Sequence, residues 1–336
     1  MEKVVQLSVI VPGYRNSKSN WHRCIRSILQ NIGPHDELIC IDDGSPNKPD
    51  YLRAYEDEDP RIHVFLESEN RGLSCARNRG LELSSGKFVA FVDSDDELLP
   101  ETYSKCLCAL ERDKSDIVIF GVKSVWVAER LWKINVPSDD EFVSTDAEKI
   151  RGLYENSLLN YAWNKVYRRD FLVSNQIQFD PRGMPCEDII FNLRCMMVGG
   201  KVTCIRHVGI TYYRTHQSLL SCYKSTYRTG VELCNEAWRS YKALAPDGEG
   251  ILGRTGEASE EEILQGEWDN LWRLRTPKSL RERFDFLRKN KAILRGRSPY
   301  AFFVRQLIYS TLRKFLYVGP VQRWHIKRQY PGSRTL

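Results

Sequence analysis

The sequence predicts an α/β protein: a mostly parallel sheet flanked by helices, with a helical C-terminal extension. Three observations carry this. Short continuous apolar runs recur at residues 7–12, 37–42, 61–66, 87–92 and 116–122, as expected of strands buried on both faces. Stretches with helical spacing separate several of them, the arrangement that builds a parallel sheet. Beyond Ser225 the pattern turns helical and is broken only by the Pro- and Gly-containing segment 245–250. At 336 residues the chain is long enough for one large domain plus an extension. The boundary is drawn between residues 1–220 and residues 221–336.

The elements follow in order. The run at 7–12 is β-branched, and Pro12 is read as its stop. Helical spacing over 20–31 places Trp21, Cys24, Ile25, Ile28 and Leu29 on one face. The second strand ends at Asp42-Asp43-Gly44-Ser45, and the third spans 61–66. Residues 73–84 are helical, closed by Ser85-Gly86. The fourth strand, 87–92, runs directly into Asp93-Ser94-Asp95-Asp96. Residues 100–113 are helical, with Pro100 in the first turn, and a further strand covers 116–122. In open α/β sheets ligands bind beyond the carboxyl ends of the strands. The polar clusters at residues 12–16, 42–45 and 93–96 are therefore where a site is sought.

Composition removes other classes. An apolar fraction of 42% and a charged fraction of 28% are those of a soluble globular chain. The 8 Trp, 16 Tyr and 13 Phe exclude a disordered one. No apolar run approaches the ~20 residues that cross a bilayer, and Glu2, Lys3 and Gln6 interrupt any secretory leader. Ten cysteines without a CxxC pair read as free thiols in a reducing cytosol. They offer no zinc-ligand spacing.

The net charge of +6 is unevenly spread. Residues 281–336 hold 14 Lys/Arg against 2 Asp/Glu, leaving a net charge of −6 on the rest. Within this tail, Phe302, Leu307, Leu312 and Phe315 alternate with Arg305, Arg313 and Lys314 at helical spacing. Two readings stand: a basic amphipathic helix on an anionic membrane surface, or a packing helix with a solvated edge. Nucleic acid is excluded as a partner, because no nucleic-acid module accompanies the charge.

Four clusters can carry chemistry, each with a plainer alternative. Asp93, Asp95 and Asp96 can share a divalent cation with substrate phosphates, or Asp95 or Asp96 can cap the next helix. Asp42 can accept the N3–H of a pyrimidine base, or Asp43-Gly44 can be a tight turn. Gly72 and Ser74 open a helix that also holds Arg77 and Arg79. That suits an anion at the helix start, or a solvated face. Glu187 and Asp188 begin another helix, where one can be a general base or both can serve as caps.

Six segments occur in one order: Val9-Ile-Val-Pro-Gly-Tyr14, Ile41-Asp-Asp-Gly-Ser45, Asn70 to Gly80, Phe91-Val-Asp-Ser-Asp-Asp96, Trp163-Asn-Lys-Val-Tyr167 and Cys186-Glu-Asp188. Over roughly residues 5–220 the chain resembles an inverting family 2 glycosyltransferase of the bacterial surface-polysaccharide type. That resemblance implies the GT-A fold, with a Rossmann-like sheet. It implies a nucleotide-diphosphate sugar donor, UDP-linked by preference, and a glycan or polyprenyl-linked glycan acceptor. It also implies a Mn²⁺ or Mg²⁺ cofactor. Taken with the tail, it places the protein in the cytoplasm, peripheral on the inner face of the cell membrane.

The resemblance also implies roles. Pro12, Tyr14, Asp42, Arg77, Asp93 and Ser94 would bind the nucleotide sugar. Asp95 would hold the metal, with His216 completing its shell, and Asp96 would support the pair. Asp188 would be the catalytic base. Glu187 and Trp163 would bind the acceptor, although Trp163 and Tyr167 can equally be core aromatics. Arg214 and His216 follow an apolar strand, where either can reach the phosphates or be structural. Gly13 departs from the family's bulkier residue and leaves the nucleoside contact open there.

Overall fold

The computed structural model describes residues 5–128, 130–142, 146–182, 185–215, 225–245, 252–253, 256–271, 278–290 and 332–335. The chain begins with β1 (Leu7–Gly13), α1 (Lys18–Leu29), β2 (Glu37–Asp42), α2 (Arg53–Glu58), β3 (Ile62–Leu66), α3 (Leu73–Leu83) and β4 (Phe88–Phe91). Strands β4, β1, β2 and β3 lie side by side and are all parallel. β1, β2 and β4 are buried almost throughout, with α3 packed on β1 and β2, whereas β3 at the edge exposes His63. Trp21, Cys24, Ile25 and Ile28 of α1 are buried, as their spacing predicts.

Pro12 does not stop β1, which continues to Gly13. The Ile10 carbonyl accepts the Val92 N–H, so Pro12, two residues on, faces the same side. The β1–β4 pairing has already ended there, at Ile10, so the missing proline N–H costs no ladder bond.

The second half of the sheet is mixed. β5 (Glu97–Leu98), α4 (Thr102–Asp113), β6 (Ile117–Trp126), β7 (Leu131–Asn135), β8 (Glu141–Phe142), α5 (Ala147–Glu155), β9 (Lys165–Arg168), α6 (Arg169–Ser174), α7 (Glu187–Met197) and β10 (Val202–Arg214) follow in order. β9 runs antiparallel between β4 and β6, and β10 lies parallel along β6. The predicted strand at 116–122 is longer than expected, because its outer half pairs with both β7 and β10. The predicted helix start at Pro100 is corrected. α4 begins at Thr102 after a left-handed Glu101 with φ 63°, because Glu97–Leu98 is drawn into a pair with β10. The Gly86 cap is also corrected: α3 ends at an extended Ser84. Gly86 is needed for space, since a Cβ there would meet Ser8 Oγ at 2.6 Å.

An aromatic cluster ties the two halves together beneath the strand ends. Phe91 of β4, Tyr167 of β9, Phe179 and Phe191 of α7 meet edge to face or stacked, with Phe179 and Phe191 at 4.0 Å. The described part of residues 221–336 is helical except at its end. α8 (Tyr227–Leu244) adds Cys234, Trp238 and Tyr241 to the same core as the sheet. Helices Glu260–Leu271 and Lys278–Lys289 follow. β11 (Arg334–Thr335) pairs antiparallel with the β7 edge. Trp132 of β7 lies under the cationic groups of both Arg334 and Lys123. The amphipathic stretch 302–317 lies outside the described residues. Among the described residues no helix is long and apolar enough to cross a membrane.

Candidate active site

The ends of β1, β2 and β4 are joined by side-chain bonds between their loops. Asp42 is buried at the last position of β2. Its carboxylate accepts the Ser45 N–H at 2.8 Å and the Ser45 hydroxyl at 2.5 Å. Gly44, at φ +66°, makes that turn, so the tight-turn reading holds here. The Ser45 hydroxyl in turn accepts the Arg15 N–H at 2.7 Å, and the Asn16 amide donates to Ser94 Oγ at 2.8 Å. Arg15 sits in the left-handed region at φ 52°, its guanidinium beside the exposed Tyr14 ring. Such non-glycine positions concentrate at functional sites.

The departure at Gly13 has a steric cause. A Cβ at Gly13 would lie 2.3 Å from the Trp21 indole and 2.7 Å from Ser94 Oγ. Trp21 and Ser94 occupy the volume that a larger residue would need.

The anion sought at the start of α3 is supplied by the chain. Asp43 accepts the N–H groups of Arg71 and Gly72 at 2.9 and 2.8 Å, and the Asn70 amide at 2.9 Å. Its carboxylate meets the positive end of the helix. The sequence reading saw Asp43 only as a turn residue and missed this clamp.

The Asp93–Asp96 loop is the most acidic part of the site. Asp95 and Asp96 do not cap a helix, since β5 intervenes before α4. Asp96 is fully buried and accepts the Tyr213 N–H at 3.0 Å, fastening β10 to the loop. Burial and the neighbouring Asp95 and Asp93 push its carboxyl well up. Asp95 is pushed up to about 6, by burial first and then by Asp93. Arg23 bonds the Asp95 carbonyl and lies 4.3 Å from the Tyr213 ring.

Arg77 joins this loop to the second acid pair. Its side chain is 1% exposed. One nitrogen donates to Asp93 Oδ1 at 2.8 Å, another bonds Asp188 Oδ1, and Glu187 Oε1 stands 3.8 Å away. The Phe179 ring lies 5.1 Å from the guanidinium carbon. Gly80 allows this reach: a Cβ there would meet Ile10 at 2.2 Å, so only glycine lets α3 approach β1 so closely. The nucleotide contact expected of Arg77 from the resemblance gives way to a buried bridge between two acids.

Glu187 and Asp188 are not caps either. They are the first residues of α7, and the residue before them, Cys186, is left-handed at φ 83° and makes no side-chain cap. Asp188 Oδ2 accepts the Ala162 N–H at 3.2 Å. Burial raises both carboxyls, Glu187 to about 7, with the Asp188 charge its second cause. Arg77 bonds Asp188 directly and Glu187 only at a distance. Arg77 therefore offsets the burial of Asp188 more than that of Glu187.

Trp163 is 3% exposed and stacks on Tyr161 at 4.4 Å, with Tyr212 at 5.2 Å. It and Tyr167 are core aromatics in this structure, so the acceptor contact expected of Trp163 is not where the structure places its ring. Arg214 lies over Trp126 and Tyr212. His216 lies outside the described residues. The structure adds residues that sequence reasoning did not assign: Asn164, Lys165 and Asn192, which grip the loop carrying Ala162. Asn164 and Lys165 lie within a segment already singled out. Their polarity amid apolar neighbours was the available signal.

A divalent cation fits the Asp95 side of the loop. Asp93 is compensated by Arg77. No side chain among the described residues bonds the Asp95 carboxylate, and the adjacent Asp93 charge is unfavourable to it. Hard cations are often held by one or two carboxylates with substrate phosphates completing the shell. That matches a site where, among the described residues, no group of three or more His, Cys, Asp or Glu can hold a metal alone.

Comparison with known proteins agrees with this geometry. Residues 8–174 match the family described as Glycosyl transferase family 2. EpsH of Bacillus subtilis, named as a glycosyltransferase, is 30% identical over 235 residues, 68% of this chain and 66% of EpsH. TuaG of the same organism, named for teichuronic acid biosynthesis, is 41% identical over 102 residues, 30% of this chain and 40% of TuaG. The chain thus spans less than two thirds of either relative. The structure of Staphylococcus aureus TarS 1–349 in complex with UDP-GlcNAc superposes with a TM-score of 0.60 at 18% identity, covering 82% of this chain and 83% of TarS 1–349. The fold is that of the GT-A glycosyltransferases, and with a matching domain over residues 8–174 the chain belongs to glycosyltransferase family 2.

Proposed function

We propose that this protein transfers a sugar from a nucleoside diphosphate sugar to a glycan hydroxyl, with inversion, in surface-polysaccharide assembly. The observation that carries the reading is Arg77, which places an acid pair at the start of α7 against the acidic loop at the end of β4. A UDP-linked donor is supported by the UDP-GlcNAc bound in TarS. Polysaccharide assembly is supported by the name of TuaG. The basic tail supports work on a lipid-linked acceptor at the inner face of the membrane, with residues 1–220 as the transferase domain and 221–336 as its extension.

Each residue then has a task. The loops bearing Pro12, Tyr14 and Asp42 hold the nucleoside, and Asp93 and Ser94 shape the ribose side. Asp95 would hold a Mn²⁺ or Mg²⁺ ion, which would supply charge stabilisation for the departing diphosphate. Asp188, ionised through Arg77 and the Ala162 N–H, takes the proton of the attacking hydroxyl. Each of its oxygens keeps a lone pair for that hydroxyl. Glu187, whose carboxyl is raised to about 7, donates a hydrogen bond to the acceptor in its protonated form and orients it.

A panel of nucleotide sugars, scored by nucleoside diphosphate release with and without Mn²⁺ or Mg²⁺, tests this. One donor should be consumed in a metal-dependent way, and Asp95→Asn should weaken its metal-dependent binding without unfolding the protein. Wild-type protein that binds a donor yet transfers to no acceptor in a broad panel would instead be a nucleotide-sugar-binding scaffold.

A further inference from the structure

Between α5 and β9 the chain runs through residues 157–162 without regular structure, yet the carbonyls of Leu158, Leu159 and Tyr161 are each engaged by buried side chains. The Leu158 carbonyl accepts Asn164 Nδ2 at 3.0 Å and Lys165 Nζ at 2.8 Å. The Leu159 carbonyl accepts Asn192 Nδ2 at 2.7 Å. The Tyr161 carbonyl accepts both Asn192 Nδ2 at 3.0 Å and Lys165 Nζ at 2.5 Å. Lys165 also donates to Asn164 Oδ1 at 2.7 Å, and Tyr167 OH closes on Asn192 Oδ1 at 2.9 Å. The next N–H along the chain, that of Ala162, bonds Asp188 Oδ2.

Lys165 is 1% exposed and, among the described residues, hydrogen-bonds carbonyl oxygens, with the Asp188 charge near enough to favour its protonated form. Burying an ammonium among carbonyls is costly, and a loop that needed only satisfied carbonyls could use neutral amides, as Asn192 does. Asn192 itself stands four residues after Asp188 in α7, on the same helix face. One helix therefore carries the acid and, a turn later, the amide gripping the loop that bonds the acid.

We propose that Lys165 and Asn192 are positioning residues for Asp188, acting through the 158–162 loop and its Ala162 N–H. They do not touch substrate. The proposal rests on the reading of Asp188 as the base, and the test separates the two. Kinetic constants for UDP release from UDP-GlcNAc are measured for Lys165→Met, Asp188→Asn and the double variant, with folding checked by circular dichroism.

Positioning requires that Lys165→Met lower kcat about 10-fold or more while the donor KM stays within about twofold, because the donor is held elsewhere. It also requires that the double variant be no slower than Asp188→Asn alone, since a residue acting only through Asp188 has nothing further to lose. Asn192→Ala, which keeps the buried cation and removes one amide, goes through the same cycle where Lys165→Met does not fold. Losses that multiply in the double variant, or an unchanged kcat in Lys165→Met, overturn the positioning role. An unchanged kcat in Asp188→Asn overturns the base assignment instead.

Discussion

The end of β2 and the start of α7 hold their carboxylates by different means. At the ends of β2 and β4 the partners of Asp42, Asp43 and Asp96 are backbone N–H groups, a serine hydroxyl and the Asn70 amide. Those of Asp42 and Asp43 lie within a few residues or in a neighbouring loop, whereas the Tyr213 N–H that holds Asp96 comes from β10, 117 residues on. At the start of α7, Asp188 is held by a buried arginine 111 residues away and by the N–H of a loop propped by a buried lysine. Asp42 and Asp43 are fixed by turns and a nearby loop, whereas Asp96 and Asp188 gain their partners only when distant segments meet. The comparison teaches that local turns can fix a single acid, whereas holding one acid ionised beside another requires a charge brought in from elsewhere.

Replacing Arg77 tests the contrast most severely. Arg77→Met leaves Asp93, Glu187 and Asp188 without their shared buried cation, and breaking such a buried group costs roughly 3–5 kcal/mol. Chemical denaturation should show that loss, and transfer should vanish. Arg77→Lys keeps a charge but not the fork that spans Asp93 and Asp188, and should fall between. Wild-type stability in Arg77→Met would mean that the two halves do not depend on their bridge.

Asp188→Asn should leave donor affinity and folding intact and reduce transfer by ~100-fold or more, the loss expected of a general base. Near wild-type transfer in that variant would move the base to Glu187. On the other side of the comparison, Gly13→Ala adds a methyl 2.3 Å from Trp21. Overpacking of this kind costs ~1–3 kcal/mol, readable as a lower Tm, with nucleotide affinity falling alongside because Ser94 is displaced.

The effect of Glu187→Gln is expected to depend on pH and to be smallest at low pH, where the wild-type carboxyl is protonated as well. The folded carboxyl titrates near 7 rather than near its ordinary 4.5. Between those values the native state binds more protons than the unfolded chain, so this group lowers stability as pH rises from about 4.5 to 7. Glutamine cannot ionise and removes that penalty. The Tm difference between Glu187→Gln and wild type should therefore grow in favour of the variant from pH 5 to pH 8. A constant difference would mean that Glu187 is ordinary.

The legibility of the molecule divides along the same line. Acids that follow an apolar run, such as Asp42 and Asp93, announce a strand end in the sequence itself, and the parallel half of the sheet was readable for that reason. The bridge was not, because nothing within α3 distinguishes an arginine that reaches a nucleotide from one that reaches Asp188. The start of α4 was misplaced because Glu97 and Leu98 take their conformation from β10, more than 100 residues later. Trp163 was ambiguous because a half-exposed and a buried tryptophan share the same neighbours in sequence. Lys165 was visible as a polar residue in an apolar segment, but the carbonyls it serves belong to a loop with no pattern.

The pairing of Arg334–Thr335 with β7 has a consequence for handling the protein. An uncovered strand edge presents a row of unpaired N–H and C=O groups on which another chain can dock. Here the final residues occupy that row, and Arg334 over Trp132 keeps the rim charged. Shortening the chain to ask whether its basic region adheres to lipid also strips the cover from β7. Sedimentation with vesicles would then mix adhesion to lipid with self-association of bared edges. Replacing lysines and arginines of the tail within the intact chain leaves the edge closed, and separates the solubility of the fold from its attraction to a surface.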